Sequence, residues 1–128
     1  TKKLIKKMNS KKIIIVDDDV SILDSLGIML DFEGFEVNAF ERGSEIFSYV
    51  ESVSKPDIIL LDMWLSGEDG RDICKKLKEN EITKNIPVVI MSASRGLEHT
   101  AIQSGANAFI AKPFEIDEVV NKLNQLTA

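Results

Sequence analysis

Two spacings of apolar residues alternate along the chain. Short β-branched runs predict buried strands from Lys12 to Val16, Phe35 to Phe40, Asp57 to Leu61, Ile86 to Met91 and Ala108 to Ala111. Between and after them the apolar positions recur at helical spacing. Ile22, Leu26, Met29 and Leu30 predict one face of a first helix that stops at Gly34, and Ile46, Phe47 and Val50 a shorter second. Ile73, Cys74 and Leu77 predict a third, and Leu97, Ala101 and Ile102 a fourth that ends at Gly105. Ile116, Val119, Val120, Leu123 and Leu126 mark the fifth and clearest. A strand followed by a helix, five times over, implies right-handed βαβ crossovers. The expected architecture is α/β: a doubly wound, five-stranded parallel sheet with five helices covering both faces.

In such sheets functional groups collect at the carboxyl ends of the strands. The first strand ends in Val16-Asp17-Asp18-Asp19, the third in Leu61-Asp62, the fourth in Met91-Ser92-Ala93 and the fifth in Ala111-Lys112-Pro113. The second ends in Ala39-Phe40-Glu41, which is chemically undistinguished. Asp19 stands just before the periodic run and reads as the cap of the first helix. Asp17 and Asp18 are either solvated loop acids or, together with Asp62, a carboxylate cluster. Such a cluster repels itself unless a cation occupies it, and hard oxygen ligands suit Mg²⁺ (or Mn²⁺). A lysine before a proline is by itself as well explained by a surface turn. Beside the acids, Lys112 and Ser92 complete what transfer of a phosphoryl group to a carboxylate requires: a nucleophile, a metal, a fixed positive charge and a hydroxyl.

Charge sharpens this picture only when it is divided. The start of the chain carries Lys2, Lys3, Lys6, Lys7, Lys11 and Lys12 and no acid, so all 21 acidic residues lie beyond it although the whole chain is only −5. The remainder is poorly suited to holding DNA directly, and suits a metal or a basic partner. Residues 1–10 read as a basic N-terminal extension, a solvated tail or linker remnant rather than an anion-binding arm, with Met8 a candidate native start. Residues 11–128 read as the domain proper. At 128 residues with 44% hydrophobic content the chain can bury one core. Its apolar runs fall well short of the about 20 residues that cross a bilayer, and no secretory signal opens it, so a cytoplasmic home is expected. Lone Cys74 reads as a reduced, half-buried helix residue, and lone His99 as chemically idle.

The segments IIIVDDDVSI, IILLDMWLSGEDG, IPVVIMSAS and GANAFIAKPF, in that order and each at a strand end, resemble the receiver domain of bacterial two-component response regulators. The match runs over roughly residues 11 to 126. The resemblance implies the flavodoxin-like fold with strand order 2-1-3-4-5. It implies Asp62 as the phosphorylated residue, Asp17 and Asp18 with Asp62 and the backbone carbonyl of Trp64 as metal ligands, and Lys112 as the phosphate-pairing lysine. It further implies Ser92 as the switch hydroxyl, Phe109 as the aromatic switch residue and a cis Lys112–Pro113 bond. Trp64 and Ser94 fall at the variable positions that tune phosphate hydrolysis in that family. Two residues depart from the pattern. Ser66 stands where proline is common and is expected to loosen its loop, and Phe109 lacks the hydroxyl of the commoner tyrosine.

The resemblance thus implies a phosphoacceptor switch rather than an enzyme with an external substrate. Its implied partners are a sensor histidine kinase or a histidine phosphotransfer protein and a further protein target, met across the fourth helix, fifth strand and fifth helix near Ala106, Phe109 and Phe114. It is expected as a monomer or weak homodimer, either free-standing or part of a longer regulator. A haloacid-dehalogenase-type phosphatase would share the Asp17-Asp18-Asp19 strand end. It would need another acidic strand end after Lys112, and would leave Asp62 idle. A pseudo-receiver would need an obstruction at the site. An FMN binder would want a Gly- or Ser/Thr-rich loop where three carboxylates stand.

Overall fold

The computed structural model describes residues 10–128, so the expected basic extension lies, apart from Ser10, outside the described residues. The chain order is β1 (Lys12–Val16), α1 (Val20–Phe32), β2 (Glu36–Phe40), α2 (Ser44–Ser52), β3 (Ile58–Asp62), a two-residue hairpin of β4 (Trp64–Leu65) and β5 (Glu68–Asp69), and α3 (Gly70–Glu79). Next come β6 (Val88–Ser92), a 3-10 turn (Arg95–Leu97), α4 (Glu98–Gln103), β7 (Ala108–Ala111) and α5 (Ile116–Thr127). Five strands form one parallel sheet in the order β2-β1-β3-β6-β7, the doubly wound arrangement expected, with the hairpin as a separate addition.

Because strand side chains alternate between faces, the central strands feed two separate cores. Ile14, Val16, Ile59, Leu61, Val88 and Ile90 point to one face, under Ile46 and Val50 of α2, Ile73, Cys74 and Leu77 of α3 and Ala101 of α4. Ile13, Ile15, Ile58, Leu60, Val89 and Met91 point to the other, under Leu23, Leu26 and Leu30 of α1 and Val119 and Leu123 of α5. Burying each such side chain is worth roughly 1.5–3 kcal/mol. Coverage on both sides is why β3 and β6 read as unbroken apolar runs rather than alternating ones.

Two expected helix faces turn out rotated. α1 buries Leu23, Leu26 and Leu30, while Ile22 moves to the flank and Met29 is 38% exposed. In α4, Ala101 is buried but Ile102 is 43% exposed. Cys74, expected half-buried, is fully enclosed against the sheet, and burial pushes its thiol pKa up, so it is poorly disposed to form a thiolate. Among the described residues no helix is long and apolar enough to cross a membrane.

The register lines up the strand ends. Val16 is level with Phe40 and Leu61, Asp62 with Met91, and Ser92 with Ala111. One further backbone bond continues the ladder past each end: Asp17 N–H to Phe40 O at 3.2 Å, Met63 N–H to Met91 O at 2.9 Å and Lys112 N–H to Ser92 O at 2.9 Å. Asp17, Asp62, Ser92 and Lys112 are therefore delivered to one edge of the sheet by strand pairing, not by mobile loops.

Candidate functional site

The most buried acid of the group is Asp17, 1% exposed, followed by Asp62 at 6%; Asp18 is open to solvent. One carboxylate oxygen from each lies within 4.8 Å of the others. Lys112 reaches between two of them, with Nζ 3.0 Å from Asp17 Oδ2 and 2.8 Å from Asp62 Oδ1. Asp17 is also oriented from the other side, because its Oδ1 accepts the Asp19 N–H at 2.9 Å. Asp19 itself caps α1, as expected, accepting from Ser21 N at 3.0 Å, Ile22 N at 3.4 Å and Ser21 Oγ at 2.6 Å. The same hydrogen bonds hold its carboxyl below the usual range, so it stays ionised outside the cluster.

Electrostatics set Asp62 apart. Burial pushes its pKa up, the Lys112 hydrogen bond pulls it down, and the neighbouring charges of Asp17 and Asp18 push it up again, for a net rise. Burial drives Lys112 down, but its hydrogen bonds to Asp62 and Asp17 outweigh that and its pKa rises. The lysine thus stays protonated and the Asp62 carboxylate is held at raised energy. Three carboxylates with no nitrogen or sulfur donor among them make an oxygen-only set, the kind that hard divalent cations such as Mg²⁺ take.

The chain around Asp62 is shaped by contacts that the sequence pattern did not foretell. Ser66, expected to loosen the loop, instead ties it down: its Oγ donates to Asp18 Oδ2 at 2.7 Å. Gly67, at φ +73°, closes the hairpin in a conformation that favours glycine. Gly70 starts α3 directly against the Asp62–Met63 backbone, its N–H bonded to Met63 O at 2.7 Å. A Cβ there would lie 2.5 Å from the Asp62 carbonyl oxygen and 2.9 Å from Met63 Cα. Gly70→Ala is expected to cost about 1–3 kcal/mol, since backbone rather than a side-chain tip must give way. Thermal unfolding checks this, and an unchanged melting temperature would show that α3 shifts freely.

The remaining expected positions fall around this centre. Ser92 is 1% exposed, and its Oγ accepts the Ser94 N–H at 3.0 Å. Phe109 is half-buried on β7 and packs against the core that includes Ile90 and Ala101. The Lys112–Pro113 peptide is cis. Trp64 lies two residues past Asp62 with its side chain 48% exposed, and Arg71 stacks on its ring, 4.9 Å from the centroid. Beside Lys112 opens a mainly apolar groove of about 420 Å³ between Ile22, Leu26 and Met29 of α1 and Ala93, Pro113 and Phe114.

The sequence profile of the response regulator receiver domain matches residues 13–124. The chain is 35% identical over 119 residues to the phosphate regulon transcriptional regulatory protein PhoB of Pseudomonas aeruginosa, covering 91% of this chain and 51% of PhoB. It is 32% identical over 115 residues to the DNA-binding response regulator MtrA of Mycobacterium tuberculosis, covering 88% and 49%. It therefore spans about half the length of these relatives. Among solved structures, a response regulator from Chloroflexus aurantiacus superposes with a TM-score of 0.86 at 28% identity, over 92% of this chain and 98% of that one. The receiver domain of the sensor histidine kinase PA1611 from P. aeruginosa superposes at 0.83 and 24% identity, again over 92% and 98%. That likeness is one of fold, and the magnesium ion in its active-site cleft belongs to that protein.

Proposed function

Because this chain belongs to the response regulator receiver family, we propose that Asp62 accepts a phosphoryl group and that the modification switches the surface offered to a partner protein. The observation that carries this reading is the bridge of Lys112 between Asp17 and Asp62 beside Asp18, a charge arrangement made for a cation and a phosphoryl group together. Asp17, Asp18, Asp62 and the backbone carbonyl of Trp64 would hold Mg²⁺ or Mn²⁺. Bound there, the ion neutralises charge on the phosphoryl oxygens.

The chain's own groups do the rest. An Asp62 carboxylate oxygen attacks phosphorus in line, the P–N bond of a phosphohistidine donor breaks, and the donor imidazole takes a proton from solvent. Lys112 changes partner, leaving the carboxylate that has become an acyl phosphate and pairing with its oxygens. The Ser92 hydroxyl donates to another oxygen, and Phe109 takes up the space this opens. That rearrangement alters the face made by α4, β7 and α5. Phosphorylation shifts the equilibrium only by what it binds better in one state than the other, and those new bonds are the difference. The groove beside Lys112 supports a protein donor, because it offers an apolar anchorage next to the acceptor. We infer a sensor histidine kinase or phosphotransfer protein as that donor, in the cytoplasm, with residues 11–128 acting as the receiver and residues 1–10 as its extension.

Incubation with acetyl phosphate and Mg²⁺, followed by intact-mass spectrometry, tests the proposal. One added phosphoryl group that requires the metal is expected. No adduct, together with no binding of beryllofluoride, would overturn it and leave a docking module of the same fold.

A further inference from the structure

The helix that the switch must move is held only lightly by its own residues. α4 has six of them, of which Ala101 alone is buried, and no side chain caps its start. So short a helix gains little from propensity and depends on outside contacts to fix it. α3 is the opposite case, burying Ile73, Cys74 and Leu77 and capped by Asp69. Arg71 joins the firm helix to the loose one.

Its guanidinium is fixed before it reaches α4. Nε donates to Asp69 Oδ1 at 3.0 Å and Nη2 to Asp69 Oδ2 at 2.6 Å, a two-pronged pairing that only a planar guanidinium makes. Asp69 is placed in turn, paired with Trp64 in the hairpin and accepting the Arg71 N–H at 2.9 Å. The remaining prong, Nη1, donates to Thr100 Oγ1 on α4 at 3.0 Å, while that hydroxyl donates to Leu97 O at 2.9 Å. A fork already held at two points has little freedom left to lose, so its third bond forms at low entropic cost.

A second tether holds the same turn from the sheet. Ser92 Oγ accepts the Ser94 N–H at 3.0 Å, and Ser94 O accepts the Leu97 N–H at 3.0 Å. Both tethers converge on the start of α4, one at Leu97 and one at Thr100. Turning Ser92 Oγ toward a phosphoryl group on Asp62 withdraws it from Ser94 and loosens that tether, but leaves Arg71 in place. We propose that Arg71 is a positioning residue, a latch that holds α4 in the setting where Ser92 faces Ser94 and that gives way when the α4 face changes. This rests on Asp62 being the phosphoacceptor. A bond made in one setting and lost in the other biases the equilibrium by its full worth, so the latch sets how readily the phosphoryl group shifts it.

Beryllofluoride with Mg²⁺ is the probe, on the full chain. Thr100→Val keeps the shape of the side chain and removes the acceptor. It is expected to bind beryllofluoride roughly tenfold tighter than the wild type, the low end for a hydrogen bond to a charged group. Thr100→Ser keeps the hydroxyl and is expected to bind as the wild type does. Arg71→Ala is expected to match Thr100→Val, and the double variant to gain nothing further. Without the probe, backbone NMR shifts of Glu98–Gln103 in these variants are expected to lie part-way toward those of the wild type with beryllofluoride bound. General loosening of the fold would not direct them there. Unchanged or weaker binding in Thr100→Val would overturn the proposal, as would gains that add in the double variant. If Arg71→Ala fails to fold, the comparison of Thr100→Val with Thr100→Ser decides alone. If the wild type binds no beryllofluoride, the reading of Asp62 fails and the latch has nothing to oppose. Amide exchange in Glu98–Gln103 that Thr100→Val leaves unchanged would instead refute the hold of Arg71 on α4.

Discussion

Replacing Lys112 with methionine is expected to lower stability at neutral pH by about 3 kcal/mol, the order seen when one partner of a buried ion pair is removed. Methionine keeps the aliphatic stem, so the loss is that of the charge. Without the ammonium, Asp17 and Asp62 face one another nearly dry with no cation between them, and burial and the neighbouring negative charge both favour the protonated form of Asp62. The deficit is therefore greatest where Asp62 is ionised and shrinks as falling pH protonates it. In the wild type the lysine's own contribution runs the other way along the scale. Its folded pKa is raised, so the stability it adds is fully present below its unfolded value and is lost only as pH rises through the folded one. Urea unfolding of both proteins at neutral and mildly acidic pH checks this. An equal deficit at the two pH values would mean that lost packing, not unpaired carboxylates, is the cause. The same variant is expected to be severely slowed in taking phosphoryl from acetyl phosphate.

Asp62→Asn is expected to abolish phosphorylation entirely, since a neutral amide does not attack phosphorus as a carboxylate does, while making the fold more stable by about 1 kcal/mol. The gain arises from the raised pKa of Asp62, which burial causes first and the charges of Asp17 and Asp18 reinforce. A carboxyl whose folded pKa is raised contributes stability below its unfolded pKa and loses it as pH rises through the folded value. At neutral pH the ionised form is thus a burden that the neutral amide removes. Intact mass after acetyl phosphate and the midpoint of urea unfolding read the two effects. Retained uptake of a phosphoryl group would move the acceptor elsewhere, and a lowered midpoint would show that the Lys112 contact outweighs the burial of Asp62.

The elements and the site acids were legible in the sequence for different reasons. β1 and β3 announced themselves by runs such as Ile13-Ile14-Ile15-Val16 and Ile58-Ile59-Leu60-Leu61, which only a sheet covered on both faces can bury. Strand ends in parallel order then placed Asp17, Asp62, Ser92 and Lys112 at one edge. The orientation of α1 was not legible, because Val20, Ile22, Leu23, Leu26, Ile28, Met29, Leu30 and Phe32 make the helix apolar on more than one side. Ile28 and Phe32 are 71% and 63% exposed, so periodicity could not choose between its faces. The role of Ser66 was hidden because its value lies in a partner 48 residues away, the Asp18 carboxylate. Arg71 escapes sequence reasoning for a related reason. Its stacking on Trp64 and pairing with Asp69 depend on a short hairpin that brings Asp69 opposite Trp64, and such short strands leave no periodic trace.

The two cores are divided by a sheet one strand thick, and the division sorts the protein's tasks. Leu26 and Phe114, which border the groove beside Lys112, belong to the core under α1 and α5, whereas Phe109 packs into the one under α2, α3 and α4. On the proposed function the donor meets the side of α1, while the output face straddles the partition, with α4 and Phe109 on one side and α5 and Phe114 on the other. Substitutions at Ile22 or Met29 of α1 could then retune which donor is recognised without touching Phe109, whereas one at Phe114 would reach input and output together.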